Sequence, residues 1–104
     1  MLKQLIAGLT LVVASYSTVA ETIWLDVRSS SEYSSGHIEG AIHLAHTNVT
    51  EEASSLLPNK DDQILVYCKS GGRAEKAETL LKKLGYTNVK NIGGLADAKK
   101  LKTM

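Results

Sequence analysis

Short apolar runs alternate with amphipathic stretches along most of the chain, and this alternation predicts an α/β fold. Four runs rich in apolar and β-branched residues are predicted strands: residues 22–27, 41–44, 63–67 and 88–92. The third run, QILVY, is apolar enough to be buried on both faces, which is typical of a strand inside a parallel sheet. Strands that alternate with helices form a largely parallel sheet with helices on both faces.

Polar residues and proline mark the first helices between these strands. Ser29 and Glu32 have the capping-box spacing, which predicts a short helix that starts after Ser29 and ends at Gly36. Residues 47–57 suit a second helix, and Pro58 stops it.

The period of the apolar positions changes after Arg73 and predicts a third helix. Its buried face would carry Ala74, Ala77, Leu80, Leu81 and Leu84. Gly85 is the expected C-cap, and Gly93 and Gly94 open a last helical segment. The basic run at residues 99–102 is predicted to be a solvated tail, with a basic docking patch as the alternative.

The first twenty residues have the pattern of a secretory signal peptide. Lys3 gives a basic start, residues 5–14 are apolar, and small residues lead to a cleavage point after Ala20. The apolar run is shorter than the ~20 residues that span a bilayer, so the alternative is a buried N-terminal helix. Cleavage would leave residues 21–104 as one small exported domain.

The charge balance of this domain does not favour a polyanionic partner. The chain has 12 lysine and arginine residues against 11 aspartate and glutamate residues, and loss of Lys3 with the leader makes the balance even. The sequence has no long basic run with interleaved aromatic residues, as nucleic-acid binding would favour. We therefore expect no nucleic-acid partner and, after cleavage, no membrane association.

Cys68 is the only cysteine in the chain. It cannot form a disulfide within its own chain, and a single cysteine excludes both a two-cysteine redox motif and a multi-cysteine zinc site. In an exported protein, an odd cysteine is either an intermolecular link or a reactive thiol. Cys68 directly follows the third predicted strand, and sheets of this kind place their sites at the carboxyl ends of the strands.

The segment from Cys68 to Arg73, CKSGGR, has the composition of an anion-binding loop. Gly71 and Gly72 permit a tight turn with inward backbone N–H groups, and the following helix adds free N–H groups and a positive dipole end. Such a cradle stabilises a thiolate and lowers the cysteine pKa from its usual value of about 8.5. Lys69 and Arg73 act in the same direction. The alternative is an inert cysteine packed at the end of a strand.

Four segments together resemble the rhodanese family of single-domain sulfurtransferases. CKSGGR is similar to the active-site loop of that family. The segment from Tyr33 to Leu44, YSSGHIEGAIHL, resembles its N-terminal signature, although Glu39 stands where proline is common. LDVRSSSEY and GYTNVKNIGGL are similar to the segments after the first strand and before the last helix. The resemblance covers residues 22–95 and, together with the small size and the signal peptide, implies a periplasmic protein.

The resemblance implies a rhodanese-like α/β fold with a central parallel sheet of about five strands. It implies that Cys68 takes a sulfur atom from a donor such as thiosulfate, carries it as a persulfide and passes it to an acceptor such as cyanide. The backbone N–H groups that would cradle the persulfide belong to Lys69, Ser70, Gly71, Gly72 and Arg73. The Lys69 and Arg73 side chains would bind the anionic donor, and neither a metal nor a cofactor is implied.

Two other functions stay open at this point. Cys68 could instead belong to a sulfur-carrier or stress-associated binding module that relays sulfur to a protein partner. Cysteine phosphatases have a similar layout, but they place one more residue between cysteine and arginine than the four found here. A shorter loop makes a tighter cradle, which favours sulfur over a tetrahedral phosphate.

The remaining chemistry-bearing residues are interpreted as structural. A metal site would need several histidines to converge with further ligands, and the sequence places three in one short segment: His37, His43 and His46. By the resemblance, His37 orders the turn before the second strand. We interpret Asp26 and Arg28 as scaffolding at the end of the first strand, and Trp24 as a core residue.

Overall fold

The computed structural model describes residues 21–104, and the predicted signal peptide lies outside the described residues. The elements are, in chain order, β1 (Thr22–Asp26), α1 (Ser30–Ser35), β2 (Ile42–His43), a 3-10 helix (His46–Asn48), α2 (Val49–Leu56), β3 (Gln63–Cys68), α3 (Gly72–Lys83), β4 (Val89–Gly94) and α4 (Leu95–Lys102). This order of strands and helices confirms the α/β class that the hydrophobic pattern predicts.

The sheet is parallel throughout, with the strand order β2-β1-β3-β4. The described residues thus form the four strands that the hydrophobic pattern predicts, where the family resemblance implies about five. The chain passes from β1 to β2 on one side and later adds β3 on the other side of β1. The carboxyl ends of β1 and β3 therefore flank the point where the winding direction reverses, which is where open α/β sheets bind ligands. Cys68, the last residue of β3, lies there.

Burial on both faces of the sheet explains why β3 is apolar from Ile64 to Cys68. Ile64, Val66 and Cys68 belong to the larger core, whereas Tyr67 belongs to a smaller core on the opposite face. The helices α2 and α3 supply the larger core with Val49, Ala53, Ala74, Ala77 and Leu81. On the opposite face, α1 and α4 supply Tyr33, Leu95 and Ala98. The prediction of helices on both faces of the sheet is confirmed.

The predicted helix boundaries agree with the structure where local capping chemistry sets them. At the start of α1, the Ser29 hydroxyl accepts the Glu32 N–H at 3.3 Å, and the Glu32 carboxylate accepts the Ser29 N–H at 3.0 Å. Both halves of the predicted capping box are present. At the end of α3, Leu84 is the C-cap and Gly85 follows it with a φ of +99°, so the glycine lies one residue later than expected.

The basic run near the C-terminus is exposed, as predicted, but it belongs to a helix and not to a tail. Residues 99–102 lie in α4. At the start of this helix, the Asp97 carboxylate accepts the N–H of the N-cap residue Gly94 at 2.8 Å. The ammonium group of Lys102 donates to the Glu39 carbonyl at 2.8 Å and lies 5.2 Å from the centre of the Trp24 ring. The helix therefore points these lysines in different directions.

The helix predicted over residues 47–57 is in fact a 3-10 helix followed by α2. The Asn48 N–H donates to the Ala45 carbonyl at 2.8 Å, which tightens the first turn. His46 is the first residue of this 3-10 helix. Within residues 21–104, no helix has the length and apolar character needed to cross a bilayer.

Candidate active site

Cys68 lies at the floor of the loop that joins β3 to α3. Its side chain is 1% exposed, and its sulfur accepts the Gly71 N–H at an N···S distance of 2.9 Å. Gly71 is the N-cap of α3 and has a φ of +106°, a conformation that glycine adopts without steric cost. The turn that the two glycines predict thus wraps backbone N–H groups around the sulfur.

Two opposing effects act on the pKa of the Cys68 thiol, and the net shift is downward. Burial raises the pKa, but N–H groups that donate to the sulfur from Ala74, Gly71, Ser70 and Arg73 lower it by more. The thiolate is therefore favoured, as the loop composition predicts.

The Ala74 amide is a member of this cradle that the sequence does not single out. The first bond within α3 runs from the Glu75 N–H to the Gly71 carbonyl at 3.0 Å, so the Ala74 N–H has no acceptor inside the helix. Ala74 is the third residue of the helix, and this position alone indicates that its N–H is free to bind the sulfur. Gly72, by contrast, begins α3 with open space beside its Cα atom.

The Arg73 guanidinium is paired with a carboxylate from another element. Its two terminal nitrogens donate to the two Glu32 carboxylate oxygens at 2.7 and 2.9 Å, which ties α3 to α1. Arg73, together with the Ser29 groups that cap α1, holds the pKa of Glu32 well below its usual range. The contact of Arg73 with a sulfur donor stays a prediction. In the structure, Arg73 positions α3 against α1 through Glu32.

A cleft of about 380 Å³ opens beside the Cys68 loop, between α1 and α4. We call it the Lys69 cleft, after the residue that follows Cys68. Its lining consists of Arg28, Glu32, Ser35, Gly36, Lys69, Leu95 and Lys99. Lys69 therefore faces the space through which a donor can approach the loop, whereas Ser70 contributes its amide to the sulfur.

A buried ion pair forms the wall of the site at the end of β1. The Arg28 Nε and terminal nitrogen donate to both Asp26 oxygens, at 2.6 to 3.1 Å, and the Arg28 side chain also donates to the Gly36 carbonyl at 2.7 Å. Burial raises the pKa of Asp26, but the hydrogen bonds from Arg28 outweigh this effect and the net shift is downward. The charges of Asp26 and Arg28 are thus paired with each other inside the protein, which supports their interpretation as scaffolding.

The end of β4 supports the loop from the other side, through a contact that the sequence does not predict. The pairing of β3 with β4 shifts register between Val66 and Cys68, and this shift places Gly94 opposite Cys68. The Asn91 side chain accepts the Gly93 N–H at 2.9 Å and donates to the Gly71 carbonyl at 3.0 Å. In the sequence, an asparagine two residues before paired glycines indicates a turn that the asparagine side chain stabilises.

The histidines do not converge on one point. The His37 ring stacks on Tyr33 at 3.6 Å and contacts the Tyr33 carbonyl at 2.7 Å, which gives it the expected role in the turn. The His43 ring contacts the Arg28 carbonyl at 2.7 Å and so supports the scaffold. The part of the chain from residue 21 onward contains no group of three or more side chains able to hold a metal ion.

Comparison with known proteins identifies the class to which this arrangement belongs. The family model for the Rhodanese-like domain matches residues 13–100. PspE, a thiosulfate sulfurtransferase of Escherichia coli strain K12, is 37% identical over 97 residues, or 93% of this chain and 92% of PspE. YrkF of Bacillus subtilis, a candidate sulfur carrier protein, is 40% identical over 68 residues, or 65% of this chain and 36% of YrkF. A solved structure of a rhodanese with anions from E. coli has a TM-score of 0.70 and 38% identity, and the match covers 73% of this chain and 89% of that one. The chain belongs to the rhodanese-like domain family and is a sulfurtransferase.

Proposed function

We propose that the protein moves a sulfur atom from thiosulfate to a thiophilic acceptor such as cyanide, with Cys68 as the carrier. The observation that carries this proposal is the contact of the Gly71 N–H with the Cys68 sulfur at 2.9 Å. It belongs to a set of backbone donors that lowers the pKa of the thiol. A thiolate is the nucleophilic form of cysteine, so the reaction needs no separate base.

The proposed reaction has two half-reactions and is ping-pong in form. In the first, the Cys68 thiolate attacks the outer sulfur of thiosulfate, the S–S bond of thiosulfate breaks, and sulfite leaves with the bonding electron pair. In the second, cyanide attacks the outer sulfur of the persulfide, and thiocyanate leaves while the Cys68 thiolate returns. Atoms and charges balance in both steps without a cofactor.

The cradle fits the persulfide as well as the thiolate. The persulfide adds one sulfur atom beyond Cys68 and keeps one negative charge. The amides of Ser70, Gly71, Arg73 and Ala74 can stabilise this charge. The parent sulfur is 1% exposed, so the outer sulfur would be the atom that an acceptor reaches.

Charge on the loop supports an anionic donor. Lys69 lines the cleft next to Cys68, and its ammonium group can pair with the sulfonate end of thiosulfate. Arg73 is paired with Glu32 and holds α1 and α3 together, which positions the loop beside α1. The E. coli rhodanese structure named above was solved with anions, which is in keeping with this proposal.

We also propose export of the protein and removal of residues 1–20, because those residues have the basic, apolar and small-residue regions of a signal peptide. The protein would then act in the periplasm and begin at Glu21. N-terminal sequencing of periplasmic protein tests this proposal, and a sequence that begins at Met1 would contradict it.

Sulfur relay to a protein acceptor is the second candidate function, favoured by the similarity to YrkF. The first half-reaction is the same, and only the acceptor differs. Turnover with cyanide that is much slower than transfer to a protein thiol would favour relay.

The mass of the intact protein tests the proposed carrier directly. Reduced protein treated with thiosulfate should gain one sulfur atom, and cyanide should remove that atom as thiocyanate. Cys68→Ser is nearly isosteric and should show neither change while keeping the thermal melting curve of a folded domain. A wild-type protein that gains no cyanide-reversible sulfur would contradict the proposal, and phosphate release from an aryl phosphate would favour a phosphatase.

A further inference from the structure

The Lys69 cleft has a surplus of positive charge once its ion pairs are taken into account. Arg28 lines the cleft but is neutralised by buried Asp26, and Glu32 lines the cleft but is neutralised by Arg73. The two remaining charged side chains in the lining are Lys69 and Lys99. Both are exposed, and neither forms an ion pair with any residue in the range 21–104.

Of the three lysines in α4, Lys99 is the one that lines this cleft. Lys99 lies one helical turn after Leu95, so the two side chains share a face, and both line the cleft. Lys100 lines a separate groove along β4 with Ile92 and Leu101. Lys102 is held by the Glu39 carbonyl. Of the basic run in the described helix, Lys99 alone is placed beside the Cys68 loop.

We propose that Lys99 is a donor-binding residue that, together with Lys69, binds the negatively charged sulfonate end of the sulfur donor. This inference rests on the proposed function for the identity of the donor. Cys68 attacks the outer sulfur of thiosulfate, so this sulfur must face the loop and the sulfonate oxygens must lie outward, toward the cleft. The two lysines approach the cleft from the loop and from α4 and can contact a dianion from two sides.

The role of Lys99 predicts weaker donor binding without slower chemistry. An exposed charge pair contributes up to about fivefold in affinity, and the interaction is present in both the bound donor and the transition state. Lys99→Ala should therefore raise the KM for thiosulfate about fivefold and leave kcat unchanged. Lys100→Ala is the matched control, because it removes the same charge from the neighbouring position of the same helix and should leave the KM as it is.

A binding measurement with sulfate separates this inference from the proposed function. Sulfate is a tetrahedral dianion like thiosulfate but has no sulfur to transfer, so its binding does not depend on Cys68 chemistry. Sulfate titrated into the reduced protein should shift the backbone amide NMR signals of Lys69 and Ser70. The apparent Kd should rise about fivefold in Lys99→Ala and stay unchanged in Lys100→Ala.

Each outcome decides one of the two claims. Equal sulfate affinities for Lys99→Ala and Lys100→Ala, or no shift of the loop amides in the wild-type protein, would overturn the role of Lys99. Sulfate binding that depends on Lys99, in a protein that takes no sulfur from thiosulfate, would support the cleft assignment and overturn the proposed donor. Lys99→Arg retains the charge and should bind sulfate as the wild-type protein does.

Discussion

The Cys68 loop leaves no space for a side chain at Gly94. A Cβ atom built on Gly94 would collide with the Lys69 carbonyl oxygen and would lie 3.0 Å from the Lys69 carbonyl carbon and 3.4 Å from the Ser70 Cα atom. All three are backbone atoms, so no side-chain rotation can relieve the collision. The oxygen is the closest of the three atoms, and carbon–oxygen contacts lie at about 3.3–3.6 Å, so the Gly94→Ala variant must push Lys69 away by about 1 Å or more.

This displacement acts on the cradle of the sulfur. The Gly71 N–H lies 2.9 Å from the Cys68 sulfur, and a shift of the loop lengthens such contacts and raises the pKa of the thiol. A hydrogen bond to a charged group contributes ~1.5–3 kcal/mol, which corresponds to about 10- to 100-fold in the rate of the first half-reaction. Overpacking should also lower the free energy of unfolding by ~1–3 kcal/mol.

Gly72→Ala is the matched control for this variant. It introduces the same methyl group two residues before Ala74, where nothing lies within 4 Å and the residue is already helical. It should keep the rate and stabilise α3 by about 0.5–1 kcal/mol. The thiolate is followed by its ultraviolet absorbance against pH, with Cys68→Ser as the blank, and sulfur transfer by single-turnover mass measurements. A Gly94→Ala variant with the wild-type titration curve and rate would refute the reasoning.

Three further predictions concern stability. Asp26→Ala leaves the buried Arg28 cation without its partner, so urea titrations should show a loss of ~3–5 kcal/mol, and a loss below about 1 kcal/mol would contradict the scaffolding role. Because folding lowers the pKa of Cys68, its thiolate stabilises the fold fully above the unfolded pKa of about 8.5, and this contribution is lost as the pH falls through the folded pKa. The stability difference between the wild type and Cys68→Ser should therefore grow toward that pH and then level off, and a flat difference would contradict the lowered pKa. Tyr86→Phe removes a buried hydroxyl that donates to the Leu57 carbonyl at 2.7 Å and should cost about 1–2 kcal/mol in the same titrations; an unchanged midpoint would show that the bond contributes nothing.

The features that were predictable from the sequence are those that neighbouring residues determine. The capping box of Ser29 and Glu32 and the glycine turn after Cys68 form within a few residues of the chain, so their spacing is sufficient to predict them. The apolar character of β3 follows from burial on both faces of the sheet. The apolar runs therefore predicted the strands and the α/β class. The glycine turn predicted the position of the thiolate cradle.

The contacts that the sequence did not predict join elements far apart in the chain. Glu32 and Arg73 are separated by 41 positions, and their pairing depends on the relative orientation of α1 and α3. The division of the basic run between the cleft, the β4 groove and Glu39 requires the rotation of α4 about its axis. Periodicity defines which residues share a helix face, but tertiary packing decides what that face contacts.

The pairing of β1 with β3 also constrains the order in which the chain can fold. Thr22 pairs with Gln63, and their side chains form a hydrogen bond at 2.8 Å across 41 positions of sequence. The first strand to be synthesised therefore waits for its main partner until two thirds of the chain has been made, since β2 offers it only two residues. Contacts this distant form slowly compared with local helices. A nascent chain that ends before residue 63 should therefore be degraded readily by proteases. A polypeptide that stays unfolded until β3 is made can still be threaded through an export channel.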